Sequence, residues 1–212
     1  MPYCPARLKA NFVISIQVCA QSTETAMALA EMHPSLCFIV QMAPENYGVG
    51  GMDRLSGSIT VQERVPASVQ VVKNAAVYVL RLTTSSTPLP AQMFAELSAH
   101  LGVLRASPSA TLILVLPLLP EPGAVSPDKE AKARLRDLCL LQLTNQCEVE
   151  LGELLEGVNG VGDSNGRLVI ASRLRSPESA LVALGVKYQA FADRNHTAEP
   201  AISTDLIGLD WT

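Results

Sequence analysis

The sequence predicts an α/β domain: a mostly parallel, twisted sheet with helices on both faces, closed at one edge by an antiparallel hairpin. Three observations predict it. Up to about residue 119, short apolar runs alternate with helix-forming stretches, the pattern of strands joined by crossover helices. Several of those runs are apolar at consecutive positions, as expected when both faces of a sheet are covered. The last two runs are joined only through Arg175-Ser-Pro-Glu178, too short for a crossover helix, so they must pair antiparallel.

Phe12-Val-Ile-Ser-Ile-Gln-Val18 reads as the first strand. Thr23 to Met32 holds helix formers without Gly or Pro; Ser22 or Thr23 is placed to cap it, with Glu24 in the first turn. His33-Pro34 stops that helix, because proline disfavours helical backbone in the residue before it. Leu36-Cys-Phe-Ile-Val40 is the second strand. A glycine-rich stretch runs from Gly48 to Gly57, followed by the alternating third strand, Ser58 to Val65, and a fourth, Ala76-Val-Tyr-Val-Leu80. Ser85 to Pro90 is a loop, Ala91 to Leu104 an amphipathic helix and Thr111 to Leu119 the fifth strand. Strands alternating with helices imply a parallel sheet, wound right-handed. Glu121 to Lys129 is a proline-containing linker. Ala131 to Gly157 reads as one long helical region, bent near Asn145. Arg167 to Ser172 and Ala180 to Ala190 are the final strands. Asp193 to Thr212 is polar and broken by Pro200, a loose tail in which Trp211 is the residue suited to dock on the body.

The chain has 212 residues, 48% hydrophobic and 17% charged, enough for one packed domain and wrong for a disordered one. A net charge of −4 without a Lys/Arg-rich run argues against direct nucleic-acid binding. Leu112 to Leu119 contains Pro117 and is too short to cross a bilayer, and Met1 to Ala10 lacks the apolar core of a signal peptide. A soluble protein away from membranes is expected. The five cysteines are odd in number and lack CxxC spacing, which predicts reduced, mostly buried thiols in an intracellular compartment.

Four segments carry a family resemblance: Leu29-Ala-Glu-Met-His-Pro-Ser-Leu-Cys-Phe-Ile-Val-Gln41, Ala75-Ala-Val-Tyr-Val-Leu-Arg81, Leu116-Pro-Leu-Leu-Pro-Glu-Pro-Gly123 and Arg136-Asp-Leu-Cys-Leu-Leu-Gln-Leu-Thr-Asn145. In order and spacing they resemble the C-terminal domain of fungal and plant small-molecule O-methyltransferases. The resemblance implies a class I methyltransferase, Rossmann-like sheet. It divides the chain into a short lead over residues 1–11, an O-methyltransferase-like domain over 12–190 and a flexible tail over 191–212. Fold does not carry function with it.

That family holds S-adenosylmethionine above the C-terminal strand ends, and three positions there have changed. The loop after the first strand, Val18-Cys-Ala-Gln-Ser-Thr23, contains no glycine. Cys19, Ala20, Gln21 and Ser22 therefore place β-carbons where a close backbone approach to the cofactor needs none. A variant loop that binds by another path is the alternative. The acid expected after the second strand to accept the ribose hydroxyls is replaced by Met42, a very weak acceptor. Glu45 is displaced beyond Pro44, and Glu63 reads as a solvated carboxylate more readily than as an adenine contact. The His-Asp pair expected after the fourth strand is absent from Arg81-Leu-Thr-Thr-Ser-Ser-Thr-Pro88, where Thr83 to Ser86 offer no general base. His33 at a helix end, His100 within a helix and His196 in the tail read as structural or surface residues. No catalytic residue, metal site or cofactor is therefore expected, with S-adenosylmethionine retained only if the enzyme alternative holds.

No metal-ligand spacing, GxSxG or P-loop is present, and Gly48-Val-Gly-Gly51 precedes neither a clear helix nor a Lys-Ser/Thr pair. Asn195-His-Thr197 fits a glycosylation sequon without a secretion signal. Glu148, Glu150, Glu153 and Glu156 form an acidic cluster expected on a helix, a solvated face by default and a partner-binding face as the alternative. Ser22-Thr-Glu-Thr25 and Leu143-Thr-Asn-Gln-Cys-Glu148 resemble the transcriptional coactivator of the aflatoxin gene cluster and its relatives in other polyketide clusters. This implies a non-catalytic regulator in nucleus and cytoplasm that pairs with a zinc-cluster transcription factor, and it allows an oligomer. Relatives carry an N-terminal winged-helix and dimerisation region; eleven residues precede Phe12 here, so a truncated or short member is expected. The alternatives are an S-adenosylmethionine-dependent O-methyltransferase acting on an aromatic polyketide, and a pericyclic catalyst that needs no base.

Overall fold

The computed structural model describes residues 14–20, 22–47, 57–82, 89–175 and 181–191. The expected lead, most of the glycine-rich stretch, Thr83 to Thr87 and the tail with His196 and Trp211 lie outside the described residues. The elements are β1 (Ile14–Ala20), α1 (Glu24–Met32), β2 (Cys37–Met42), β3 (Ile59–Glu63), β4 (Val77–Arg81), α2 (Leu89–Ala106), β5 (Thr111–Pro117), α3 (Pro127–Thr144), α4 (Leu151–Asn159), β6 (Gly162–Asp163), β7 (Gly166–Arg175) and β8 (Leu181–Ala190). They form one sheet in the order β3-β2-β1-β4-β5-β8-β7-β6. Strands β1 to β5 pair in parallel, and β8 joins β5 and β7 antiparallel. The expected architecture is therefore the observed one.

Side-chain parity places helices on both faces. Phe38, Val40 and Met42 of β2 pack with Ala26 and Ala30 of α1 and with Ile59 of β3. Ile39 turns the other way, onto the larger core that holds Leu112, Leu114 and Leu116 of β5 with Leu97 of α2 and Leu154 of α4. A period of two in the strands and a period near 3.6 in the helices bring these residues together.

Several expectations need correction. The long helical region is broken, not bent. Asn145 adopts a left-handed conformation at φ 55°, its N–H donating to Leu141 O at 3.0 Å, and helix resumes only at Leu151. Helix α3 starts earlier than expected, with Pro127 in its first turn after Ser126. A further strand, β6, pairs antiparallel with β7 at that edge and was not expected; Asp163 turns the chain there by accepting the N–H groups of Asn165 and Gly166 at 2.8 and 3.0 Å.

Helix α3 is unusual in what it leaves uncovered. Of its 18 residues only Ala133 is buried, while Leu135, Leu138, Leu141 and Leu143 are 61%, 52%, 43% and 83% exposed. Its free Cys139 is exposed, as is free Cys147 beyond it, which corrects the expectation of buried thiols; free Cys37 is half-buried. The joint to α4 is fastened by Arg136, whose guanidinium grips both oxygens of Glu148, and by Asp137, which accepts the Glu148 N–H at 2.7 Å. The pairing holds Arg136 firmly protonated, above the ordinary guanidinium value.

A buried polar network ties α2 to the ends of β2 and β3. Arg64 Nη1 lies 3.0 Å from Glu96 Oε2, and Glu96 Oε1 accepts the Ala67 N–H at 2.6 Å. Ala67 sits at φ 59°, a left-handed conformation that costs a residue with a β-carbon about 1 kcal/mol, so the carboxylate holds a strained turn. Gln41 and Gln70 bond reciprocally, at 3.1 and 2.8 Å. His100 Nδ1–H donates to Glu96 O at 2.7 Å, so its Nε2 accepts from Gln70 Nε2 at 3.2 Å. The imidazole must be neutral to do so. Tyr78 meets it edge-on, ring centroids 5.6 Å apart.

Burial, more than any neighbour, pushes the His100 pKa down, and the Glu96 carbonyl partly opposes this. Above the ordinary imidazole value of about 6.5 the residue is neutral folded or unfolded, so stability there does not depend on it. As pH falls through that value the unfolded chain gains a proton that the folded chain resists, and stability is lost. Denaturant unfolding between about pH 7.5 and 5.5 should show this loss, and His100→Gln should flatten it. Glu96→Ala should cost ~3–5 kcal/mol by leaving Arg64 buried without its carboxylate. Leu114→Ala should cost about 2–5 kcal/mol by cavity formation, whereas Leu138→Ala on the open face of α3 should stay within about 0.5 kcal/mol, both read by the same unfolding curves.

Candidate functional site

In a parallel sheet of this kind ligands sit beyond the C-terminal strand ends, where the strand order reverses. Here the reversal lies between β1 and β4, so the ends of β1, β2, β3 and β4 frame the candidate site.

The β1 strand continues through Val18, Cys19 and Ala20, with a register shift against β2 between Gln17 and Ala20. The strand thus takes up the first three residues of the loop expected over Val18 to Thr23, and Gln21 lies outside the described residues. Ser22 is exposed, and Thr23 precedes α1 without a capping side-chain bond to the backbone, its hydroxyl lying 3.8 Å from Met27 sulfur. Ala20, Met42 and Glu63 are lateral neighbours at three adjacent strand ends.

Met42 is 5% exposed and packs into the apolar cluster under α1. Its carbonyl accepts the Arg64 N–H at 2.8 Å. The preceding Gln41 turns to the opposite face and is held by Gln70. Neither residue presents a carboxylate. Ala43 to Tyr47 closes a turn, Tyr47 N–H donating to Ala43 O at 3.0 Å, and carries Glu45 exposed on it. Glu63 is also exposed. Thr83 to Ser86 lie outside the described residues. His33 ends α1 as expected, and His100, enclosed by Gln70, Glu96 and Tyr78, has both ring nitrogens occupied.

The sequence reading missed Arg64, Glu96, Gln41 and Gln70. A signal for two residues of the buried network was present: Glu96 and His100 fall at helical spacing among Met93, Leu97, Val103 and Leu104, all on the buried face of α2. The acidic cluster divides. Glu148 is buried against Arg136 and Glu150 precedes α4, so only Glu153 and Glu156 stand on that helix.

The described residues also line concavities. One of about 160 Å³ lies beyond β5 between Leu119, Pro122, Arg134 and Leu151. Another of about 330 Å³ lies between α2 and α4. Among the described residues no group of His, Cys, Asp and Glu is placed to hold a metal ion, and no helix is long and apolar enough to cross a membrane.

No protein-family model matches the chain. Among curated relatives it is 52% identical over 188 residues to a transcriptional coactivator of Pseudocercospora fijiensis, covering 82% of this chain and 51% of that protein. It is 40% identical over 205 residues to the agnestins biosynthesis cluster transcriptional coactivator of Paecilomyces divaricatus, covering 90% and 46%. It is 35% identical over 201 residues to the cladofulvin cluster transcriptional coactivator of Passalora fulva, covering 92% and 47%. The chain thus spans about half the length of these relatives. Among solved structures it is similar to a pericyclic reaction enzyme, at TM-score 0.69 and 16% identity over 87% of this chain and 45% of that one. It is also similar to the mitomycin 7-O-methyltransferase, at 0.62 and 14% over 84% and 49%, and to human N-acetylserotonin methyltransferase, at 0.60 and 13% over 83% and 47%. At such identities these likenesses establish the fold alone, that of the class I O-methyltransferases. The chain is therefore a homologue, over about half their length, of the transcriptional coactivators of fungal secondary-metabolite clusters, built on an O-methyltransferase fold.

Proposed function

We propose that the chain is a non-catalytic, methyltransferase-like regulator that serves as a transcriptional coactivator of a fungal polyketide or other secondary-metabolite cluster. In this reading it assists a zinc-cluster transcription factor and works in the nucleus. The observation that carries the reading is its identity to named coactivators along most of its length. The chemistry at the strand ends supports it. The residues present do not fit S-adenosylmethionine as an O-methyltransferase holds it. Met42 is buried in apolar surroundings where a ribose-binding carboxylate would stand, and a thioether accepts hydrogen bonds very weakly. Val18 to Thr23 supply no glycine, and Arg81 to Pro88 supply no group that titrates near neutral pH.

The open leucines of α3 support a protein-binding role. An 18-residue helix that buries one residue gains little from its own fold, and exposed apolar surface of this kind marks protein interaction sites. The negative net charge suits contact with a DNA-bound protein better than contact with DNA itself. The enzyme alternative rests on fold alone, which does not determine activity.

Co-precipitation of the 212-residue chain with a zinc-cluster activator of a secondary-metabolite cluster tests the reading. Capture of the activator is expected, and Leu135→Ser/Leu138→Ser should reduce it several-fold if α3 contributes. Failure of the folded wild-type chain to capture the activator would overturn the proposal.

A further inference from the structure

We infer that the groove between α2 and α4 is a docking site for a basic, apolar segment of a protein partner; the existence of that partner rests on the coactivator reading. The groove encloses about 330 Å³. Its floor is Met93 and Val149, both buried, and Phe94 forms one wall at 39% exposure. Glu153 and Glu156 of α4 form the other wall, both exposed. Three residues apart on a helix, they share one face. The volume lies at the small end for ligand pockets and suits one or two large side chains.

Gly157 sets how closely the walls approach. A β-carbon there would lie 3.0 Å from Met93 Cε and 3.2 Å from Phe94 Cζ. The floor is apolar while the rim is acidic, and that difference selects the occupant. Helix α4 carries no Lys or Arg, and among the described residues neither glutamate forms an ion pair. A segment that offers an apolar side chain to Met93 and Val149, flanked by Arg or Lys, satisfies both parts. An acidic segment meets like charge. An amphipathic helix laid along the groove is the simplest form of such a segment. Helix α3 makes no comparable choice, because Lys129, Lys132, Arg134 and Arg136 alternate with Asp128, Glu130 and Asp137 along its sequence.

Fluorescence anisotropy of the whole chain tests the site. The probe is a fluorescein-labelled helical peptide with Trp and Leu on one face and arginines flanking them. It should bind about tenfold tighter than the same peptide with glutamates for arginines, or with serines for Trp and Leu. Glu153→Gln/Glu156→Gln should weaken binding about tenfold and flatten its salt dependence, and Phe94→Ala should weaken it at all salt concentrations. Circular dichroism melting of each variant confirms that the fold is kept. Equal affinity for the arginine and glutamate peptides would overturn the proposal, as would a loss of binding confined to Leu135→Ser/Leu138→Ser. Co-precipitation separates the two readings. If the activator is captured equally by wild type and by Glu153→Gln/Glu156→Gln, the groove assignment falls and the coactivator reading stands. If the activator is not captured but the arginine peptide still binds at the groove, the coactivator reading falls and the groove assignment holds.

Discussion

The ion pair between Arg64 and Glu96 is the interaction on which the strand ends depend. Both side chains are nearly inaccessible to solvent, at 6% and 1% exposure, so neither charge tolerates loss of the other. Glu96 also holds the strained turn at Ala67, and through His100, Gln70 and Gln41 the network reaches the strand that ends at Met42. Helix α2 is thereby fixed to β2 and β3 by polar contacts on a face that otherwise packs by apolar burial. Buried networks of this kind specify an arrangement through the bonds their members make.

The fold was legible because its signals are local and repeated. The alternation of apolar runs and helix formers located β1 to β5, and the short connection at Arg175 to Glu178 required the antiparallel finish. The break at Asn145 was less legible, since Arg136 to Gln146 holds no Gly or Pro and the interruption comes from one residue in a left-handed conformation. β6 was missed because it is two residues long, although Asp163-Ser-Asn-Gly166 is a turn-forming sequence. Gly166 has little choice there, as a β-carbon would collide with Gln189 O and the Tyr188 ring.

The candidate site was legible in a different way. Residue types at Met42 and in Thr83 to Ser86 were readable without a structure, because chemistry that needs a carboxylate or an imidazole cannot be done by a thioether or a hydroxyl. The burial of Met42 beneath α1 and the opposite turn of Gln41 were not readable, because parity in a strand is set by what covers each face. The buried partners of His100 were hidden for a related reason. Arg64 and Glu96 are 32 positions apart, and sequence spacing carries no sign of a contact so distant. The leucines of α3 lie at the surface, where an apolar helix face has meaning for partners.

A retained scaffold carries a changed site, and we propose that its strand ends do not serve S-adenosylmethionine. Isothermal titration of the chain with S-adenosylmethionine tests this most directly. The account predicts no saturable heat up to about 1 mM cofactor, while the fold remains cooperative in a melting experiment. Saturable binding with a dissociation constant in the micromolar range would contradict it.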